Sequence, residues 1–465
     1  MALEDEARAW LKRAGDWLPQ WTTIEAGLAG FGRALLGNHL RVAVTGLSRS
    51  GKTVFVTCLA HHLERGTGLP FLEAVAERRY RGARIANRSP EGVVAFPYRA
   101  HSAALSADPP RWPAASTDLS LLRMNVDVKR KRGLIPRVGD DRPVTIDLVD
   151  YPGEWLIDLP LLRDSYDGWS SVTLERLRAR PYEPFFRDFL QALDGADVPS
   201  LVSAYVGAMQ AARAARLSLL HPGRALTPTA VDAPLEQVAF APVPPGHRHA
   251  KAFGERFVDY VERWVRPFKA NVVDAVDRQI VLVDVLESLN RGPPHFDDTR
   301  AALAMILESF NYGRGNRMQR WVAPKVERLV FCATKADHVA NTQHANLKAL
   351  LQDMVDDAAR RVRLEGIATE TLAVAALRST DTVRTDHDGQ RLSCVRGVLY
   401  DTGQERIIFP GEVPPTMPRG ADWDEQRFAF RRFAPRSLAA AGNGGVQGHI
   451  RLDQVLESVL GDRLA

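Results

Sequence analysis

Cysteine is scarce: Cys58, Cys332 and Cys394 are the only three in 465 residues, far apart, with no CxxC pair and no histidine cluster beside them. That scarcity argues against a disulfide framework or a structural zinc site and fits a reducing compartment. Long apolar runs are missing too. No stretch approaches about 18 uninterrupted apolar residues, so no segment is expected to span a bilayer. The N-terminal MALEDEARAWLKRAG brings acids early and has no apolar core, so it does not read as a secretory signal. Neither charge sign dominates, because 61 basic residues stand against 56 acidic ones, a formal net charge of +5. Charge interspersed in this way describes a solvated mixed surface rather than a nucleic-acid footprint. Repeats and low-complexity tracts are absent. A cytoplasmic protein is expected, at most peripheral to the inner membrane.

What is present is enough apolar residue, 45%, for a large core in a chain too long for one compact unit. Residues 5 to about 37 have the pattern of an amphipathic helix, with Trp10, Leu11, Trp17, Leu18 and Trp21 on it. Apolar, β-rich runs follow at His39–Thr45, Leu121–Val128, Val144–Asp150, Gln279–Val285, Glu327–Ala333 and Glu370–Ala376. Such runs suit strands buried on both faces of a parallel sheet, and the helical segments between them give an α/β fold with helices on both faces. The expected division is an N-terminal helical segment (1–37), a core (38–156 and 278–385), a helical insertion (157–277) and a β-rich C-terminal segment with a closing helix (386–465). Loops 101–116 and 222–249 are the expected mobile segments.

The chemistry starts after the first of these strands, with Gly46-Leu47-Ser48-Arg49-Ser50-Gly51-Lys52-Thr53 leading into an apolar helix. Glycines at Gly46 and Gly51 permit a tight turn, so that the N–H groups of Ser48, Arg49, Ser50, Gly51 and Val54 can wrap phosphates at a helix N-terminus. Lys52 would reach the β- and γ-phosphates, and the Thr53 hydroxyl would ligate Mg2+.

Val144–Asp150 runs into Asp150-Tyr151-Pro152-Gly153-Glu154. A carboxylate at the end of a neighbouring strand is where the metal needs one, and Gly153 can offer its N–H to the γ-phosphate. Asp147 is the rival on the same strand; the three-residue spacing to Gly153 favours Asp150. Glu154 stands where many GTPases place a water-orienting glutamine, and its charge would oppose an anionic γ-phosphate, so slow hydrolysis is expected. Thr117, in Ser116-Thr117 ahead of the strand Leu121–Val128, could complete the Mg2+ shell. Arg49 and Arg163 are the candidate transition-state arginines.

Glu327–Ala333 runs into Thr334-Lys335-Ala336-Asp337. A carboxylate at Asp337 can accept both N1–H and the exocyclic amine of guanine. Adenine would leave it unpaired, at a cost of about 1–3 kcal/mol. The Lys335 stem can lie along the purine, and backbone N–H groups at Ala376 and Leu377 can meet the guanine oxygen.

With these strings assembled, the chain resembles the YcjX-like family of P-loop NTPases. The resemblance rests on Gly46 to Thr53, on Asp147-Leu148-Val149-Asp150-Tyr151-Pro152-Gly153-Glu154-Trp155, on Phe409-Pro410-Gly411-Glu412 and on His449-Ile450-Arg451-Leu452-Asp453. It implies a GTPase-like core with a helical insertion, binding of GTP and GDP, and a role in bacterial stress responses associated with the envelope. Besides the nucleotide, a second copy or a protein effector engaged through the helical insertion is a candidate partner. The basic run Lys129-Arg130-Lys131-Arg132 is expected to be a solvated hairpin tip, so nucleic acid is not an expected partner. A nucleotide-gated interaction protein with negligible turnover, or an ATPase, are the competing classes.

Overall fold

The structure, a computed structural model, describes residues 39–47, 49–86, 93–114, 118–129, 143–226, 239–309, 326–387, 389–423, 428–440 and 448–465. The expected N-terminal helix, Ser48, Thr117 and most of the basic run lie outside the described residues. The apolar runs form one seven-stranded sheet. In chain order its strands are β1 (His39–Gly46), β2 (Tyr80–Ile85), β3 (Ser120–Val128), β4 (Val144–Asp150), β5 (Arg278–Val283), β6 (Arg328–Ala333) and β7 (Ala368–Ala373). The spatial order is β2-β3-β4-β1-β5-β6-β7. The strands from β4 to β7 run parallel, while β3 and β2 are antiparallel at one edge. Sequence pattern missed β2, whose exposed Arg81 and Arg84 suit an edge and break the apolar run.

Side-chain alternation sorts the core into two layers. Leu40, Val42 and Val44 of β1, Ile146 and Leu148 of β4, and Ile280 and Leu282 of β5 face one layer. There they meet helix α1 (Lys52–Arg65), α2 (Tyr98–Ser106) and the closing helix Leu452–Leu464. Helix α2 overlaps the expected mobile loop 101–116. Tyr98 and Leu105, two turns apart, are both buried and dock it on the body.

Val149, Val281, Val283 and Phe331 face the opposite layer. Between β4 and β5 this layer receives α3 (Tyr166–Arg178), α4 (Glu183–Ala192), α5 (Val198–Ala214) and α6 (Ala250–Tyr260). Trp169, Phe240 and Phe257 form the aromatic centre of this helical unit, with ring centroids 4.9 and 5.3 Å apart. Helices α7 (Pro293–Ser309) and α8 (His344–Leu364) complete the layer. A separate antiparallel sheet, in order β10-β9-β8, holds β8 (Thr380–His387), β9 (Gln390–Val398) and β10 (Glu405–Ile408). Strand β8 was illegible because its TDTVRTDH is polar on both faces, although Asp388-Gly389 is a hairpin signal. Among the described residues no helix is long and apolar enough to cross a membrane.

Candidate nucleotide site

Between the end of β1 and the start of α1, Arg49 (φ 61°) and Gly51 (φ 93°) lie in the left-handed region. Gly46 has no room for a side chain, since a Cβ would sit 2.4 Å from the Leu282 carbonyl oxygen on β5. Gly153 approaches from the β4 side, where a Cβ would sit 2.3 Å from the Gly46 carbonyl oxygen. Both glycines are therefore fixed by backbone contact. Lys52 Nζ curls back to donate to the Gly46 carbonyl at 3.0 Å. The hydroxyls of Ser50 and Ser379 are buried and find no hydrogen-bond partner among the described residues.

Thr53 is buried in the first turn of α1, and Asp150, fully buried, ends β4 in register with Val44. Its rival Asp147 is engaged elsewhere: Arg123 donates to it at 2.7 and 2.8 Å, and His39 Nε2 lies 2.8 Å away. Burial pushes the Asp147 carboxyl up, but the bonds and charges of His39 and Arg123 outweigh it and hold its pKa below the usual range. Three residues along one strand thus separate a structural carboxylate from one at the loop end.

Glu154 opens a short helix, Glu154–Ile157, and is buried. Its Oε1 accepts from Arg213 Nε and Nη2 at 3.2 and 3.1 Å. Arg213 also donates to the Leu226 carbonyl, so it joins the last turn of α5 to the segment that follows β4. Arg224, buried between the Trp155 and Trp264 rings at 4.3 and 4.2 Å, makes a second tie of the same kind. Burial pushes the Arg224 pKa down to about 10.

The far end is built by β6 and β7. Lys335 adopts a left-handed backbone (φ 60°) and pairs with Asp284, which also caps the helix after β5. The Asp337 carboxylate is buried and accepts the Ser379 N–H at 2.7 Å, so the segment after β7 fixes its orientation. The Thr334 N–H bonds to the Val283 carbonyl at 2.9 Å.

One cavity of about 310 Å³ brings these parts together. Arg49, Ser50, Gly51, Lys52, Thr53 and Val54 line one end, and Thr334, Lys335, Asp337, Ala376, Leu377 and Ser379 line the other. Glu154, Arg213 and Arg216 line the insertion side; Trp112, His338, Tyr400, Arg432 and Phe433 close it further. Gly46, Asp150 and Gly153 are not on its lining. Arg163 is exposed and does not line it either. Sequence reasoning missed Arg213, Arg216, His338, Tyr400, Arg432 and Phe433. The one faint signal was that α5 stops at Ala-Arg-Leu with no glycine.

A parallel sheet carrying this loop on its central strand, with an aspartate ending the next strand and Thr-Lys-x-Asp two strands away, defines a P-loop NTPase of the GTPase-like α/β class. The chain belongs to the YcjX-like family (DUF463), whose pattern it matches over residues 40–464. It is 36% identical over 451 residues to the Escherichia coli K12 protein named Ras-like GTPase YcjX, covering 92% of this chain and 96% of that relative. A Shewanella oneidensis protein of the same name is 34% identical over 463 residues, covering 92% of this chain and 95% of its own.

Proposed function

We propose that the protein binds GTP and GDP with Mg2+ and slowly hydrolyses GTP at the β–γ phosphoanhydride, acting as a nucleotide-dependent switch. The observation that carries this reading is Asp337, a carboxylate oriented by Ser379 at the opposite end of one cavity from Lys52. That spacing suits a purine nucleotide with guanine on Asp337 and phosphates on the loop. Lys52 would exchange its bond to the Gly46 carbonyl for β- and γ-phosphate oxygens. The Thr53 hydroxyl and Asp150 carboxylate are hard oxygen donors leaving adjacent parallel strands, which fits Mg2+ completed by phosphate oxygens and water. The metal would offset charge developing on the phosphates. Ser48 and Thr117 keep their proposed places on phosphate and metal. Glu154 would hold the attacking water, and its ion pair with Arg213 lessens the repulsion its charge would otherwise exert.

The proposed division of labour puts nucleotide binding in 38–156 and 278–385, and leaves 157–277 and 386–465 to respond to it. The proposal extends to a second copy or a protein effector at the insertion and to peripheral membrane attachment, and on the family resemblance alone to a role in bacterial stress response. The competing reading, an interaction protein with negligible turnover, has in its favour that Arg213 already occupies Glu154. Calorimetry with GTP, GDP and ATP on wild type and Asp337→Asn tests the base assignment. GTP should bind the wild type about 10–100-fold more tightly than ATP, with most of that preference lost in the variant. Equal GTP and ATP affinities in the wild type would overturn it.

A further inference from the structure

The left-handed residue that ends an α-helix is most often glycine. Helix α5 ends on an arginine instead. Arg216 has φ 75° directly after the cap residue Ala215. Its N–H bonds to the Arg213 carbonyl at 2.9 Å, and the Leu217 N–H bonds to the Ala212 carbonyl at 3.0 Å. These are the paired bonds of a Schellman turn, a place where glycine would avoid the backbone strain that arginine carries. The fold makes little use of the side chain held there. It is 12% exposed, yet its nearest carboxylate oxygen, Glu287 Oε1, is 3.8 Å from Nε, and Nε has no hydrogen-bond partner among the described residues.

Its surroundings are those of an anion site. Arg216 shares one recess with Leu47 and Ser50 of the phosphate loop, and shares the nucleotide cavity with Lys52 and Glu154. Burial, and after it the charge of Arg49, push the Arg216 pKa down to about 10. Arg49, Lys52, Arg213, Arg216, Lys335 and Arg432 line this cavity against the carboxylates of Glu154, Glu287 and Asp337, an excess of positive charge that a bound anion would offset. Arg213, one turn earlier, is occupied with Glu154 at 3.1 Å, whereas Arg216 is held only by the longer 3.8 Å pair with Glu287.

We propose that the helical insertion supplies Arg216 in cis as the arginine that stabilises the γ-phosphoryl group during GTP hydrolysis, an inference that rests on the GTPase reading above. In that step a water oxygen bonds to the γ-phosphorus while the bond from that phosphorus to the β–γ bridging oxygen breaks. GDP leaves with the bonding pair, and the water's proton passes to the phosphate released. Charge on the γ-oxygens and the bridging oxygen grows along this path, and a guanidinium fork meets it with two N–H groups.

Arg216→Gly is the variant of choice, because glycine accepts the left-handed conformation and removes only the fork. With saturating Mg2+, its single-turnover GTP hydrolysis should fall about 10³-fold, while GTP and GDP affinities stay within about threefold of wild type. Wild type should also retain GDP in the presence of aluminium fluoride, a mimic of the planar phosphoryl group, and Arg216→Gly should not. Arg163→Ala, an exposed arginine away from the cavity, should match wild type throughout. Wild-type hydrolysis or wild-type retention of GDP–aluminium fluoride by Arg216→Gly overturns the proposal alone. A wild type that binds GTP yet releases no phosphate overturns the hydrolase reading, and this inference with it.

Discussion

On the core side of the cavity, apart from the segment at Trp112, the contributing segments leave the ends of strands: the loop after β1, the turn after β4, Thr334 to Asp337 after β6, and the segment after β7. Backbone clearance dictates the residues there, as at Gly46 and Gly153. On the insertion side Arg213 and Arg216 follow no strand. Arg213 reaches Glu154 from a helix end 59 residues along the chain, and Arg216 reaches the cavity from the turn beyond it. One side is fixed by sheet geometry; the other depends on side-chain reach and on a few ties. Those ties are the Glu154–Arg213 pair, Arg224 between two tryptophans, and the edge contacts of Tyr151 and Trp155 on Phe268 at 5.4 and 5.5 Å. Nucleotide affinity should therefore follow the core and turnover the insertion, and variants on each side can separate the two.

The largest effect should come from the core. Gly153 has φ −65°, so alanine costs its backbone nothing, and the whole effect falls on the Gly46 carbonyl 2.3 Å from the new methyl. Gly153→Ala should lose about 2–3 kcal/mol of unfolding free energy in denaturant titrations and weaken GTP and GDP binding together. Gly195→Ala, where nothing lies within 4 Å of the added carbon, should change neither. Unaltered nucleotide binding in Gly153→Ala would mean that the two turns are free to separate.

Arg213→Ala cuts the principal polar tie on the other side. It strands the Glu154 carboxylate, whose side chain is 9% exposed, but Arg213 itself is 31% exposed and water can partly take its place. A loss of about 1–2 kcal/mol is expected after that discount. Glu154→Gln in the same chain should recover more than half of it, and additive losses in this double-mutant cycle would show that the pair is not coupled. GTP affinity should stay within a few-fold while single-turnover hydrolysis changes, the reverse of the pattern at Gly153.

The same contrast explains what could be read from the residues alone. Continuous apolar runs marked β1 and β3 to β7, because strands covered on both faces need such runs. The half-polar β2 and β8 carry no such signature. Gly46 to Thr53 and Thr334 to Asp337 stood out because local backbone geometry and short-range chemistry prescribe their residue types. Arg213, Arg216, Tyr400 and Arg432 did not, since nothing in a helix end or a C-terminal segment announces which cavity tertiary packing will bring it to. Asp147 shows the same limit within one strand: spacing favoured Asp150, but only the fold reveals the arginine and histidine that engage its neighbour.

Asp158 offers the finest test of how the insertion grips the core, because its effect can be dialled from nothing upward by pH. It follows the Glu154–Ile157 helix and is buried, its carboxylate accepting from the Tyr260 hydroxyl and from the Gly223 N–H at 2.9 Å. Burial pushes its pKa up to about 7, with Tyr260, Gly223 and Arg224 only partly offsetting it. An unfolded aspartate titrates near ~3.9, so below about pH 4 the group is neutral in both states and carries no charge penalty. Between about pH 4 and 7 the folded chain keeps a proton that the unfolded chain has lost, so stability falls as pH rises, by about 1 kcal/mol per unit. Above about pH 7 the penalty is constant. Asp158→Asn should remove this slope, so that wild type and variant diverge in denaturant midpoint between pH 5 and 7 and run parallel at higher pH. Because a Cβ on Gly223 would come within 2.4 Å of the Glu154 carbonyl oxygen, that proton bears on the same short stretch that holds Glu154. Parallel profiles across the whole range would mean that the charge on Asp158 is compensated, and that the insertion's hold on Glu154 is indifferent to pH.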